Sequence, residues 1–296
     1  MKRKMTILLV LATLGLSAGS AMAAFDSISV SPRARAMGES GVAVPDDAYA
    51  AFINPGQLAQ TSGGALAASY VRPFSLSYAD NFFLGAALPI SPEAGAFGLS
   101  FSKFKVDYQD VRLLDESQIG LAYGRNLYSD YHSSIDLGAS VNMYHMKAGQ
   151  SVSGIDPGND TALGIDLGMV MVLHKRTRLA FMVKNLNNPN IGIDEEELAR
   201  RLSAGISYEP YAGVITTFEF DNELGQDVQY HGGAEMTIFE GFALRAGVIT
   251  NPSKLTAGFG YTMERVSLNY GFSTGGGTLE STHQFGLNFT WGGEAQ

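Results

Sequence analysis

The chain has 296 residues, no cysteine and a formal net charge of −9. These values exclude disulfide staples, a lipid anchor on cysteine, and the clustered basic surface that nucleic acid requires. The 35 glycines sit inside apolar stretches, where a helix would be weakened by each of them, so they point to strands, bends and crowded interiors.

The first residues read as an address. Lys2, Arg3 and Lys4 precede an apolar run from Met5 to Leu16, and Ala21-Met22-Ala23 is a small-x-small cleavage site. A signal peptide over residues 1–23 and a mature start at Ala24 are expected, and the mature chain is then three units more negative. No later segment is continuously apolar for the ~20 residues a membrane helix needs.

Next comes a segment unlike the rest, over residues 24–63. Within it "DDAYAAFINPGQL", Asp46 to Leu58, reads as a short helix. Asp46 and Asp47 are placed to accept from its unpaired N–H groups, and Ala48 to Phe52 form its body. Asn54-Pro55 ends it, because a residue before proline avoids helical dihedrals. The plainer alternative is a capped turn leading into the first strand.

From Gly64 the pattern alternates with period two. In "VSLNYGFS", Val266, Leu268, Tyr270 and Phe272 share one face, and Ser267, Asn269, Gly271 and Ser273 the other. Such alternation marks strands with one apolar and one polar face. Fourteen are predicted: 64–73, 81–89, 95–105, 116–127, 133–145, 162–173, 177–186, 200–209, 214–221, 230–239, 242–250, 255–263, 266–273 and 282–291. Their even number, their length near ten residues and an opposite face of Gly, Ser, Thr and Asn argue against a soluble sandwich and for an all-β transmembrane antiparallel barrel. Connections alternate too. Ile90–Ala94, Tyr128–His132, His174–Arg176, Pro210–Gly213, Glu240–Gly241 and Glu264–Arg265 are short, whereas Phe104–Asp115, Met146–Thr161, Asn187–Ala199 and Asn222–Gln229 are longer. Short turns on one side and longer loops on the other fit a barrel with both termini on the periplasmic side. Closure also leaves no unpaired edge in hydrocarbon.

Asp136, Asp166, Lys184, Glu219, Glu235 and Arg245 fall on the polar parity and must face the lumen. If Ile238 faces Phe242 across a three-residue loop, Glu235 stands opposite Arg245; a three-residue turn at His174–Arg176 likewise puts Asp166 opposite Lys184. These pairs either neutralise charge in a narrow lumen or line a path. So few lumen charges imply a narrow or plugged barrel. Catalytic signals are absent. The five histidines, His132, His145, His174, His231 and His283, lack metal-ligand spacing. No G-x-S-x-G elbow occurs, and "STGGGTLEST" has no lysine and opens no helix. Neither an enzyme, a metal site nor a cofactor is expected.

The stretch Arg33 to Ala59, "RARAMGESGVAVPDDAYAAFINPGQLA", resembles the N-terminal signature of the FadL-like outer-membrane superfamily, and more closely that of the PorV/PorQ family. The matching positions are Ala34, Arg35, Ala36, Met37, Gly38, Asp46, Asp47, Asn54 and Pro55. Later segments continue the likeness: "GIDLGMVMVLHKRTRLAFMVKNLNNPNIG", "ALRAGV", "LTAGFGY" and the closing "HQFGLNFTW". It departs at Asn54-Pro55-Gly56-Gln57, where the family usually has Asn-Pro-Ala-Gly, and at Met37-Gly38-Glu39-Ser40-Gly41, where it has Met-Gly-Gly-Ala. The resemblance implies a fourteen-stranded barrel over residues 64–296, with an N-terminal segment entering the lumen from the periplasm as a plug. FadL-like members carry hydrophobic molecules into the outer membrane; PorV-like members serve type IX secretion. The expected partners are outer-membrane lipid and either a hydrophobic small molecule or secretion and envelope proteins. The alternative is a structural barrel with a sealed lumen.

Overall fold

The computed structural model describes residues 25, 28–109, 111–149, 158–192, 195–277 and 279–292; the expected leader lies outside them. After the N-terminal segment come β1 (Gly64–Arg72), β2 (Ala79–Ser91), β3 (Gly95–Tyr108), β4 (Val111–Ser129), β5 (Ser133–Ala148), β6 (Asn159–Leu173) and β7 (Thr177–Lys184). A small hairpin follows, β8 (Asn190–Ile191) with β9 (Glu196–Glu197), paired only to each other. The remaining strands are β10 (Arg201–Tyr211), β11 (Val214–Glu223), β12 (Gln229–Phe239), β13 (Phe242–Ile249), β14 (Lys254–Met263), β15 (Val266–Ser273) and β16 (Thr282–Trp291). Apart from β8 and β9, the strands close into one antiparallel barrel of fourteen. The seam joins β1 to β16 in continuous register, with Tyr70 opposite Phe285.

The two faces of the wall follow from the alternation. Leu66, Leu99, Leu121, Val141, Leu163, Phe218, Leu244 and Leu268 point outward and are exposed. Asn81, Ser100, Asn142, Asp166, Glu219, His231 and Gln284 point inward and are buried. In water this would be inverted, so the outer face meets lipid and the fold is a transmembrane barrel. At the loop end of β1–β4 the outer face turns charged: Arg72 pairs with Asp80, Lys103 with Asp115, and Arg112 with Asp107 and Asp115. Tyr128, Tyr131 and Tyr211 mark the turn end, as interface aromatics do. Leu121 lies halfway along β4. Leu121→Arg is therefore expected to destabilise the barrel by about 2–4 kcal/mol, read from its denaturant midpoint in liposomes.

Three details differ from the sequence expectation. The stretch Phe104–Asp115 is not a long loop. Its strands pair on through Val106–Leu114, Asp107–Arg112 and Tyr108–Val111, held by the ion pairs just named and by Tyr78 edge-on to Tyr108 at 6.0 Å. As a result β2 to β6 have 13 to 19 residues and the other barrel strands 8 to 11, so one side of the wall is taller. In the β12–β13 hairpin Phe239, not Ile238, faces Phe242. A bulge absorbs the extra residue, the rings of Phe239 and Phe242 stack at 5.0 Å, and Gly241 takes φ +80°. Finally, the C-terminal strand ends with the short turns, but Phe25 does not. It lies at the loop end, because residues 28–30 cross the lumen above the plug and carry the chain to β5 and β6.

Candidate functional site: the plugged lumen

Residues 31–61 fill the barrel. Ser31 caps α1 (Pro32–Ala36), its hydroxyl accepting from the Ala34 N–H at 3.4 Å, with Pro32 in the first turn. Gly38 and Glu39 then turn the chain at φ +72° and +61°. A 3-10 turn over Asp47–Tyr49 leads into α2 (Ala50–Ile53) and, past Asn54, into a second 3-10 stretch, Pro55–Gln60. Asn54 is extended, as a residue before proline should be.

The expected capping role of Asp46 is not what forms. The N-cap position of α2 is Tyr49, with no side-chain cap bond, and the Asp46 carboxylate instead accepts from Ser31 Oγ at 2.5 Å. The side chain of Asp47 lies outside the described residues. Burial raises the Asp46 carboxyl above the ordinary carboxylate range, with the Arg33 guanidinium and the Ser31 bond opposing. A raised folded-state value contributes stability that is complete below the unfolded pKa, about 3.9, and lost as pH rises through the folded one. Asp46→Asn is therefore expected to remove that dependence and to hold the plug at least as well at neutral pH. Protease protection of the plug between mild acid and neutrality measures this.

The plug's backbone lies directly on the wall. A Cβ added at Gly85, Gly98, Gly124, Gly138, Gly168, Gly205, Gly233, Gly247, Gly258, Gly271 or Gly286 would collide with plug atoms. That is one glycine from each of eleven barrel strands. On β1 and β7 the equivalent space is kept by the buried alanines Ala67 and Ala180. The abundance of glycine thus has a steric cause: a peptide backbone approaches another only where side chains are missing.

Polar contacts fix the plug between these points. The Arg33 guanidinium donates to both oxygens of Glu235 at 2.8 and 2.6 Å, and Arg245 Nε donates to the same carboxylate at 2.5 Å. Arg35 donates to Gln284 Oε1 at 2.7 Å and Ser273 Oγ at 3.3 Å, and pairs with Glu39 at 3.0 Å. Burial lowers the Arg35 pKa, and the Glu39 charge opposes this. The Gly38 N–H donates to Thr256 Oγ1 at 2.9 Å, and its carbonyl lies 2.6 Å from His231 Nδ1. Glu219 accepts from the N–H groups of Gly41 and Val42 at 2.9 and 3.0 Å. Asn54 Nδ2 reaches the carbonyls of Val42 and Met169 at 3.2 Å, and Gln57 Nε2 those of Gly41 and Val42 at 2.9 Å. Pro55 lies against Gly138 and Gly168.

Of the charged residues singled out in sequence, Glu235 and Arg245 meet directly. Asp166 and Lys184 do not form an ion pair. The Asp166 carboxylate is engaged by Asn142 Nδ2 at 2.7 Å, Ser140 Oγ at 3.1 Å and the Asn185 N–H at 2.9 Å. Lys184 borders a cavity of about 70 Å³ beside the plug, with Ile28, Val30, Val42, Ile53, Arg201 and Glu219. Sequence reasoning missed α1 and the roles of Arg33 and His231. The pair Ser31-Pro32, a good N-cap followed by a first-turn proline, was the available signal for the helix. Nothing local marks the partners of Arg33 or His231.

Above the plug the tall wall carries one apolar cluster among buried polar residues such as Ser100, Glu116 and Asn142. Phe25 packs edge-on to Tyr144 at 4.9 Å, beside Ala162, Ile191, Leu198 and Met146. Phe104 and Met146 flank Glu116 on neighbouring strands, and the Phe25 N–H donates to Glu116 Oε1 at 3.2 Å. Among the described residues no group of three or more His, Cys, Asp or Glu is placed to hold a metal.

No family model and no curated protein sequence matches the chain. Solved structures do. A monoaromatic hydrocarbon channel, CymD, superimposes with TM-score 0.68 at 13% identity, over 92% of this chain and 100% of that one. The Pseudomonas putida toluene transporter TodX gives 0.63 at 11%, over 90% and 99%. A Pseudomonas aeruginosa FadL homologue gives 0.56 at 12%, over 90% and 98%. The chain therefore shares, over nearly its whole length, the closed barrel fold of these structures.

Proposed function

We propose that the protein is an outer-membrane channel for small hydrophobic molecules, shut at rest by its own N-terminal segment. The observation that carries this is the apolar cluster at the loop end, where Phe25, Tyr144, Met146, Ile191 and Leu198 pack together beyond a plug that fills the lumen. An apolar solute docks there by displacing Phe25 from this cluster, and the plug controls its onward passage. Both the loop-end cluster and the names of the similar structures, a monoaromatic hydrocarbon channel and a toluene transporter, support this reading. On it, the long connections face outward and the short turns the periplasm. The cavity of about 70 Å³ is small beside the ~300–1,000 Å³ of ordinary ligand sites, so passage requires movement of the plug. Expression in cells lacking other hydrocarbon channels should speed toluene uptake, and Tyr144→Asp should abolish the gain. Equal uptake with and without the protein would refute the proposal.

A second reading is favoured by the fit of the plug and by the likeness of Arg33–Ala59 to the PorV/PorQ signature. On it the barrel stays sealed and docks secreted cargo or other envelope proteins. Crosslinking in cells followed by co-purification of such partners, with no uptake, would select it.

A further inference from the structure

The geometry points to an opening in which only Ser31–Ser40 leaves the wall, from β12–β16, while Gly41–Thr61 stays seated; this rests on the transport reading. Both pieces make polar contacts with the wall, but only the second is also anchored in apolar clusters. Gly41–Thr61 places Ala48, Tyr49, Ala50, Ala51, Phe52 and Leu58 in one apolar cluster with β1–β4, and Val42 and Ala43 in another with β6 and β7. It also continues directly into β1. Separating it would return apolar area to water. In Ser31–Ser40, Ala34, Ala36 and Met37 are buried but join neither cluster. Its named wall contacts are polar: Arg33 with Glu235, Arg35 with Gln284 and Ser273, and Gly38 with Thr256 and His231. Water can take over such partners, which is why a hydrogen bond has a small net worth.

The seat of this piece is the second observation. Five consecutive strands, β12 to β16, present Gly233, Gly247, Gly258, Gly271 and Gly286 beneath residues 32–38. No side chain stands behind the helix at those points. Its departure opens a gap about as wide as a helix, ~10 Å. Glu235, Arg245, His231 and Thr256 edge the gap, so the open state admits water and small ions as well as any cargo. The joint is visible too. Gly38 and Glu39 have positive φ, Gly41 follows, and the cavity of about 70 Å³ touches Ala34, Glu39 and Gly41.

The chain has no cysteine, so introduced pairs are its only thiols. The Arg35 Cβ lies 3.2 Å from where a Cβ on residue 271 would stand, near the ~3.5–4.5 Å of a disulfide. Arg35→Cys with Gly271→Cys ties the first piece to β15 when oxidised; the new Cβ also crowds the Pro32 carbonyl, so each lock is read as the difference between its oxidised and reduced forms. Ala51→Cys with Gly98→Cys, 2.9 Å apart on the same measure, ties the second when oxidised, the Leu58 side chain giving way to the new Cβ. Arg33→Gln frees the first piece from Glu235 and leaves the Glu235–Arg245 pair in the wall. Folding is checked by heat-modifiable migration, and potassium chloride conductance is read in planar bilayers. Arg33→Gln should raise open time roughly tenfold or more, because it removes the charge and at least one of the two hydrogen bonds to Glu235. Adding the oxidised 35–271 lock should silence it, with recovery on reduction, and the 51–98 lock should leave it conducting. Conductance that survives the first lock but not the second overturns the inference. So does a silent Arg33→Gln protein that still takes up toluene. Silence without any uptake overturns the transport reading as well.

Discussion

Deleting Asp46–Leu58 should turn a barrel that is electrically silent at rest into one that conducts steadily. The segment supplies the apolar residues that fill the lumen beside β1–β4, including Tyr49, Phe52 and Leu58. Removing them leaves an unfilled lumen lined at plug height by glycine, small apolar residues such as Ala67 and Ala122, and polar side chains. Water then enters, because nothing fills the space beside β1–β4 any longer. The barrel should stay folded, since its strands pair independently of the segment. A matching result is expected from one substitution. Gly124→Leu cannot coexist with Pro55 and Leu58 in their present positions, and overpacking of this kind costs about 1–3 kcal/mol or more. The plug gives way before the wall, because the wall is a closed ladder. Planar-bilayer conductance and liposome swelling check both. A deletion protein that is folded and still closed would show that residues 46–58 are not the stopper.

Replacing Glu235 should have the largest effect on stability. Its carboxylate accepts from Arg33 of the plug and Arg245 of the wall, and both guanidiniums would be left facing each other in a confined lumen. Removing one partner of a buried ion pair costs about 3–5 kcal/mol, because the remaining charge has lost its solvent and its counter-ion. Glu235→Gln should therefore lower the unfolding midpoint in liposomes by that order. Replacing Glu235, Arg33 and Arg245 together by methionine should recover much of the loss. A double-mutant cycle should find strong coupling between Glu235 and Arg245, and also between Glu235 and Arg33. Additive effects at both pairs would overturn the assignment.

Much of the wall could be read from local pattern. The strand at 266–273 and the strand at 282–291 were legible to the residue, because an alternating strand carries its own register. The Glu235–Arg245 opposition followed from the same parity, even though the turn beyond it tightened by a bulge at Ile238. The candidate site was less visible. Arg33 and Glu235 are 202 residues apart in sequence, and no spacing rule connects them. Asp46 looked like a helix cap until Ser31 stood beside it. Asp166 and Lys184 shared a parity, yet Asn142, Ser140 and Asn185 took the carboxylate first.

The alternation of large apolar with small polar residues decides by itself that the chain spans a membrane as a closed antiparallel barrel, because period two commits each residue to one face and hydrocarbon tolerates no open edge. What the alternation cannot encode is how a backbone lies against a glycine on a distant strand. That fit exists only once the ring has closed. Tertiary structure alone turns the inward glycines into a seat, makes Arg33 and Glu235 a latch, and brings Phe25 through the lumen to the loop end.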